Sequence, residues 1–232
     1  MEYPTWLPIT FIGSTAFAVF IFLWAIPRVR KAGWLLVIWV LLQGVVATMG
    51  FYEDTEGIPP RMSVAIGPPL LTILLLFVLP AGRRWSYRLD MRTLIMLHVV
   101  RVPVEIGLHG LFLQGDVPQV MTYEGRNFDI FSGLTAPLVA TLGFRHGRVN
   151  RPLLIGWNLL CLALLLNIMF HGIFSVPTPF QLFGFERPNV ALLHFPYVWL
   201  PAVIVPLVLL AHAAALHQLL KPEHPPVEHA AR

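Results

Sequence analysis

The chain has 232 residues, of which 56% are hydrophobic and only 12% are charged, with a formal net charge of +4. An average soluble domain carries about 25% charged residues, so this chain has too few to cover a water-facing surface. The composition excludes a disordered, collagen-like or coiled-coil protein, and no nucleic-acid partner is expected. We expect a multi-pass protein of a plasma (bacterial inner) membrane, surrounded by the lipid bilayer.

Seven apolar stretches are long enough to cross about 30 Å of hydrocarbon. They lie approximately at 7–27, 33–52, 63–80, 92–114, 128–144, 152–174 and 191–218. The sequence therefore predicts an all-α fold, a seven-transmembrane-helix bundle, as a single membrane domain over residues 1–220. The polar, Pro-rich residues 221–232 are expected to form a cytoplasmic tail.

The basic residues predict the orientation of these helices. The loops after the first, third and fifth stretches, together with the tail, hold 12 of the 16 Lys and Arg residues. The remaining loops hold Arg61, Arg126 and Arg187. Cytoplasmic loops of membrane proteins are enriched in Lys and Arg. We therefore expect the N-terminus outside and the C-terminus in the cytoplasm, and the excess positive charge is explained by topology.

The fourth predicted helix carries four ionisable residues inside its apolar span: His98, Arg101, Glu105 and His109. At about 100° per residue they fall on one helical face. Exposing an unpaired cation to lipid costs roughly 2.5–3.5 kcal/mol or more, so this face is expected to point into the bundle. Arg101 and Glu105 are four residues apart and can pair, and Pro103 between them is expected to kink the helix.

The ionisable stripe formed by His98, Arg101, Glu105 and His109 leads to three functional hypotheses. In the first, a buried polar cavity on helix 4 binds or translocates a proton, an ion or a small ligand. Arg101 would hold an anionic group, Glu105 would exchange a proton, and His98 and His109 would complete the site. In the second, the chain is a membrane redox protein. In the third, it is a structural or assembly subunit, and the stripe is a buried ion pair that fixes helix packing.

The histidines fall at two predicted depths in the membrane. His98 and His212 share a level about 9 Å inside the cytoplasmic face, and two ligands on separate helices suit a bis-histidine haem b. His109, His171 and His194 share a level near the outer face, where they are candidates for a transition-metal site. In both cases the alternative is a histidine that hydrogen-bonds a backbone carbonyl.

A run of polar residues precedes the fifth predicted helix, formed by Tyr123, Glu124, Arg126 and Asp129. The run is expected to form an outer lid over a cavity above His109. The alternative is that Asp129, or the neighbouring Asn127, caps the N-terminus of the helix.

Several motifs of known membrane-protein chemistry are absent from the sequence. Retinal bound as a Schiff base needs a lysine in the last helix, and the only lysines are Lys31 and Lys221, in a loop and in the tail. No HExxH, GxSxG or glycine-rich phosphate loop occurs. The sequence therefore assigns no reaction, and whether the chain is an enzyme stays open.

Four segments carry a resemblance to a family: LHVVRVPVEIGLHGLFLQG, MTYEGRNFDIFSGLTAP, PTPFQLFGFERPN and HFPYVWLPAVIVPLVLLAH. Over roughly residues 90–220, the chain resembles an uncharacterised family of bacterial seven-helix integral membrane proteins. The resemblance implies a seven-helix fold. It implies no known activity, and no functional residue is carried over from it.

Overall fold

The computed structural model describes residues 3–26, 30–145 and 148–220, and these residues are mostly helical. The α-helices are α1 (Trp6–Ala25), α2 (Arg30–Thr48), α3 (Ser63–Val78), α4 (Pro80–Ser86), α5 (Met91–Leu97), α6 (Arg101–Gln114), α7 (Ile130–Leu142), α8 (Arg151–Ile173) and α9 (Val205–Leu219). Short 3-10 helices span Phe51–Glu53, His98–Val100, Gln119–Met121 and Ala191–Leu193, and a π-helical turn spans Leu200–Ile204. Two short antiparallel strands, β1 (Phe144–Arg145) and β2 (Arg148–Val149), join α7 to α8.

Four helical segments of the described chain are long and apolar enough to cross a membrane: Trp6–Ala25, Met91–Gln114, Arg151–Ile173 and Leu200–Leu219. A fifth is present if α3 and α4 form one span, although the two are bent by 95° where Leu79 leads into Pro80. Gly33–Thr48 and Ile130–Leu142 are apolar but shorter. The predicted tail, 221–232, lies outside the described residues.

The last predicted segment differs most from the sequence expectation. Residues 191–218 were expected to be helical throughout, whereas the continuous helical span begins at Leu200. Before it, the backbone of His194 is extended, and Pro196 has no N–H to donate to a helical hydrogen bond. His194 is therefore not on the last helix but in the segment that leads into it.

Prolines explain two irregular turns inside the spans. Pro103 cannot donate to the carbonyl four residues before it, and the preceding turn, His98–Val100, is a 3-10 helix between α5 and α6. Pro206 likewise cannot donate to the carbonyl of Ala202, four residues before it, which lies within the π-helical turn. The indole Nε1 of Trp39 on α2 donates to that oxygen at 2.9 Å. The freed backbone group is thus satisfied by a neighbouring helix.

The segment Met91–Gln114 lies at the centre of the fold. It packs against α1, α7 and α9, and α8 packs against α7 and α9. Two thirds of the most apolar window is buried in Met91–Gln114 and in Leu200–Leu219, compared with a third or less in α1 and α8. The ionisable stripe of the fourth predicted helix therefore lies on one of the two most enclosed segments.

Candidate functional site

Most side chains of the ionisable stripe point into the interior of the protein and are buried. His98, Arg101 and Glu105 are each at most 3% exposed. The His109 side chain, one turn nearer the end of α6, is 19% exposed. Three of the four side chains are thus enclosed by other helices, and the fourth lies at the margin.

Arg101 pairs with Asp129 and not with Glu105. Its Nη1 donates to Asp129 Oδ1 at 2.7 Å and to the carbonyl of Cys161 at 3.3 Å. Its Nη2 donates to His212 Nε2 at 3.0 Å. The Asp129 side chain, immediately before α7, makes no capping hydrogen bond to that helix. The expected pairing of Arg101 with Glu105, one turn further along, is therefore wrong, because a carboxylate on another element offers Arg101 a closer partner.

Glu105 is held instead by a buried amide. Asn127 Nδ2 lies 2.7 Å from Glu105 Oε1 and 2.6 Å from Oε2, and it also donates to the carbonyl of Met121 at 3.0 Å. Asn127 Oδ1 accepts the backbone N–H of Asp129 at 3.1 Å. Asn127 therefore fixes the carboxyl of Glu105 and the start of α7 at the same time.

His98 and His212 lie side by side. Their ring centroids are 4.1 Å apart, and Trp157 packs against His98 edge-on at 5.2 Å. His212 Nδ1 donates to Asn158 Oδ1 at 2.9 Å, and its Nε2 accepts from Arg101. Asn158 Nδ2 in turn donates to the carbonyl of Leu154 at 2.8 Å.

This arrangement does not fit a bis-histidine haem. An iron between two imidazoles keeps the ligating nitrogens about 4 Å apart and the ring centres about 6 Å apart. The rings of His98 and His212 are in direct contact, which leaves no space for a macrocycle between them. Both nitrogens of His212 are also engaged by Arg101 and Asn158. His98 and His212, as arranged in this structure, therefore do not fit the expected pair of haem ligands.

The three outer histidines have separate partners. His109 stacks on Tyr123, with ring centroids 4.7 Å apart. His171 Nδ1 lies 2.9 Å from the carbonyl of its own helix, at Asn167. His194 Nδ1 lies 3.2 Å from a carboxylate oxygen of Glu53. In the described parts of the chain, no three His, Cys, Asp or Glu side chains are grouped to hold a metal ion. The expected outer metal site is therefore not assembled.

The members of the predicted outer lid are divided between two places. Tyr123 and Glu124 lie beside His109, and the Glu124 carboxylate is 3.8 Å from His109 Nε2. The carbonyl of Arg126 accepts Asn167 Nδ2 at 2.7 Å, which ties this segment to α8. Asp129 belongs instead to the buried network of Arg101.

A cavity of about 520 Å³ lies beside this network. Most of its wall is apolar and comes from α3, α6, α8, the segment after α8 and the π-helical turn. Glu105 and Asp129 are the acidic side chains in its lining. The cavity can therefore offer two carboxyl groups to a guest that is otherwise surrounded by hydrocarbon.

Two buried asparagines complete the site beyond the residues selected from the sequence. Asn127 clamps Glu105, and Asn158 orients His212. Both are fully buried. An amide within an apolar helix commonly hydrogen-bonds across helices, and this was the available signal for Asn158. Asn127 precedes its helix, and the sequence indicated it only as a candidate capping residue, not as a partner of Glu105.

Comparisons with known proteins place the chain in a family without assigning it a function. No curated protein matches it, and no solved structure matches it. A family described as a domain of unknown function, DUF8737, matches residues 59–220. The match includes the central segment, the cavity-lining helices and the whole Arg101 network. Because it covers more than half of the chain, the protein belongs to this uncharacterised family, DUF8737.

Proposed function

We propose that the chain crosses the plasma membrane seven times, with its N-terminus outside. Four described helices are long and apolar enough to cross a membrane. The bent pair α3 and α4, counted as one span, and the two shorter apolar helices bring the number to seven, which supports this topology. The outward faces support it too, since large apolar side chains such as Leu35, Ile38 and Leu41 are 57–69% exposed. The distribution of Lys and Arg between alternate loops supplies the orientation.

Reporter fusions test the topology. A reporter that is active only in the cytoplasm is expected to work when fused after Val227 and to fail when inserted at Glu56. The reverse pattern would overturn the assignment of every loop. Activity at both positions would mean an even number of crossings between them.

We further propose that the cavity binds a small ligand, and that Glu105 and Asp129 hold its polar group. The observation that carries this proposal is a pair of carboxyl side chains in the wall of a mostly apolar cavity. Small-molecule sites are typically cavities of about 300–1,000 Å³ with apolar walls and a few placed polar groups. At about 520 Å³ the cavity falls within this range and far exceeds the space needed by a proton or a bare ion.

In this proposal Arg101 is a positioning residue. The guanidinium Nη atoms are engaged by Asp129, Cys161 and His212, and Arg101 is not part of the cavity wall. It fixes the Asp129 carboxylate at the edge of the cavity. Arg101 was first expected to hold an anionic group of the ligand. In this proposal it does not contact the ligand and instead positions the Asp129 carboxylate.

An apolar carboxyl reagent tests whether the cavity admits a guest. Dicyclohexylcarbodiimide is compact and apolar, and it forms stable adducts with carboxyl groups in apolar sites. Peptide mass spectrometry of the treated protein is expected to find the adduct on Glu105, and Glu105→Gln should abolish it. Glu53 and Asp54, whose side chains are 52% and 42% exposed, serve as surface controls.

A water-soluble carbodiimide supplies the opposite control. It is expected to modify Glu53 and Asp54 while sparing Glu105. Modification of Glu105 by the water-soluble reagent and not by the apolar one would contradict an apolar cavity. Failure of the apolar reagent to modify either cavity carboxyl would overturn the proposed function.

A further inference from the structure

One polar residue that lines the cavity, Asn189, carries a buried acceptor without a hydrogen-bond partner among the described residues. Asn189 is 1% exposed and lines the cavity. Its Nδ2 donates to the carbonyl of Gly172 at 3.0 Å, and its backbone N–H donates to the carbonyl of Ser175 at 2.8 Å. Its Oδ1 has no hydrogen-bond partner among the described residues. A buried acceptor left unpaired costs about 1–3 kcal/mol, which a guest with a donor group would recover.

The charge of the wall favours a cationic guest. Asp129 is paired with Arg101, whereas Glu105 has Asn127 as its partner and no Lys, Arg or His within ion-pair distance in the described chain. None of the described basic side chains lines the cavity. An anionic guest would face two carboxyl groups without a compensating positive charge. A guest with one positive charge would pair with Glu105, the cavity carboxyl group that no described cation pairs.

The remaining wall defines the body of the guest. Phe174 and Phe180 line the cavity together with the thioethers of Met121 and Met169. Aromatic faces attract ammonium groups, most strongly in sites from which water is excluded. The apolar volume is far larger than an inorganic cation requires. The guest therefore has a substantial hydrocarbon body as well as its charged group.

The edge of the cavity reaches the apolar outer surface of the protein. Phe180 and Ile173 line the cavity and are also 51% and 42% exposed. Both lie at the end of α8 or in the segment that follows it. A guest with a hydrocarbon body can approach along this surface, where its apolar part is not exposed to water.

We propose that the ligand of this cavity is an amphiphilic amine: a hydrocarbon body with one ammonium group, which Glu105 and Asn189 receive. The inference rests on the proposed function, since it requires that the cavity admits a guest. It adds the chemical class of that guest and makes Asn189 Oδ1 the second acceptor for its N–H groups. Asp129, kept in place by Arg101, borders the same space.

Three probes with one hydrocarbon body test this class: 1-adamantylamine, 1-adamantanol and adamantane-1-carboxylate. Binding to the full chain in a non-ionic detergent is measured by titration calorimetry at pH 7. The amine is expected to bind at least tenfold more tightly than the alcohol, and the carboxylate is expected not to bind. Equal affinity for amine and carboxylate would overturn the proposal.

Variants locate the binding site of the amine. Glu105→Gln retains an oxygen that can accept from Asn127 and should weaken the amine at least tenfold while changing the alcohol less than threefold. Asn189→Ala should weaken both amine and alcohol by about threefold to tenfold, because both bring a donor. Asp54→Asn, a surface change, should alter neither. If Glu105→Gln leaves the affinity for the amine unchanged, the proposal is overturned, whatever affinity is measured for Asn189→Ala.

The two proposals fail in different ways. If the apolar carbodiimide modifies Glu105 but none of the adamantane probes binds, the cavity admits guests and the amine class is wrong. If the carboxylate binds best, the cavity remains a ligand site and the charge argument is wrong. If neither carbodiimide modification nor probe binding occurs, the proposed function itself falls.

Discussion

Replacing Arg101 by methionine gives the most direct test of the buried network. Methionine keeps much of the side-chain length and removes the charge together with the donors. Arg101 and Asp129 have side chains only 3% and 6% exposed and lie 2.7 Å apart. Removing one partner of such a pair costs about 3–5 kcal/mol, because the other charge is left buried and uncompensated. We expect Arg101→Met to lower the free energy of unfolding by this amount.

The structure also identifies which carboxylate is left uncompensated. In a double-mutant cycle, Arg101→Met and Asp129→Asn should couple by about 1–3 kcal/mol, since the two side chains are in contact. Arg101→Met and Glu105→Gln, which is the matched amide substitution, should couple by less than about 0.5 kcal/mol. The hydrogen bonds of Arg101 to His212 and Cys161 are lost in both cycles and cancel from the comparison.

Reversible unfolding in mixed micelles can measure these energies. The denaturing detergent is titrated against the folded protein, tryptophan fluorescence follows the transition, and refolding from the denatured side establishes equilibrium. A loss below about 1 kcal/mol for Arg101→Met would refute the buried pair. A coupling to Glu105 equal to or larger than that to Asp129 would refute the assignment of partners.

Two further predictions concern the packing of the helices. Gly133→Ala should destabilise the protein by about 1–3 kcal/mol, because a Cβ there would lie within 3.1 Å of neighbouring atoms that include backbone. Gly156→Ala is the control: no atom lies within 4 Å of its Cβ, so the change should be neutral or slightly stabilising. Trp39→Phe should cost about 1 kcal/mol, because the carbonyl of Ala202 loses its indole donor. The same micelle titration checks all three variants, and a Gly156→Ala loss as large as that of Gly133→Ala would contradict the packing argument.

Hydrophobicity and helical periodicity predicted a mostly helical chain, in which four described helices are long and apolar enough to cross a membrane, and the buried face of the central one. The expected cost of placing charge in hydrocarbon predicted that His98, Arg101 and Glu105 point inward, and all three are buried. The position of Pro103 likewise indicated a break in the helix near its first turns. These features follow from the polarity of individual residues and from their spacing along the helix.

The partners within the network could not be predicted in the same way. Periodicity shows which face of a helix is polar but not which element lies opposite. Asp129 is 28 residues from Arg101 along the chain and competes successfully with Glu105, which is only four residues away. The rise per residue, counted from the helix ends, predicted that His98 and His212 share a depth in the membrane. It could not predict that the two helices pack so closely that the rings touch and leave no space for a haem.

The cavity was the feature most dependent on tertiary structure. Asn189 lies in a segment without regular hydrophobic periodicity, and nothing in its sequence neighbourhood indicates that it lines the same cavity as Glu105. The apolar helices and the inward stripe were determined by the sequence alone, because each depends on the polarity of single side chains and on their helical spacing. The ion pair, the histidine contact and the acceptor-lined cavity were decided by the tertiary structure, because each depends on the distance between groups that the chain brings together only when its helices pack.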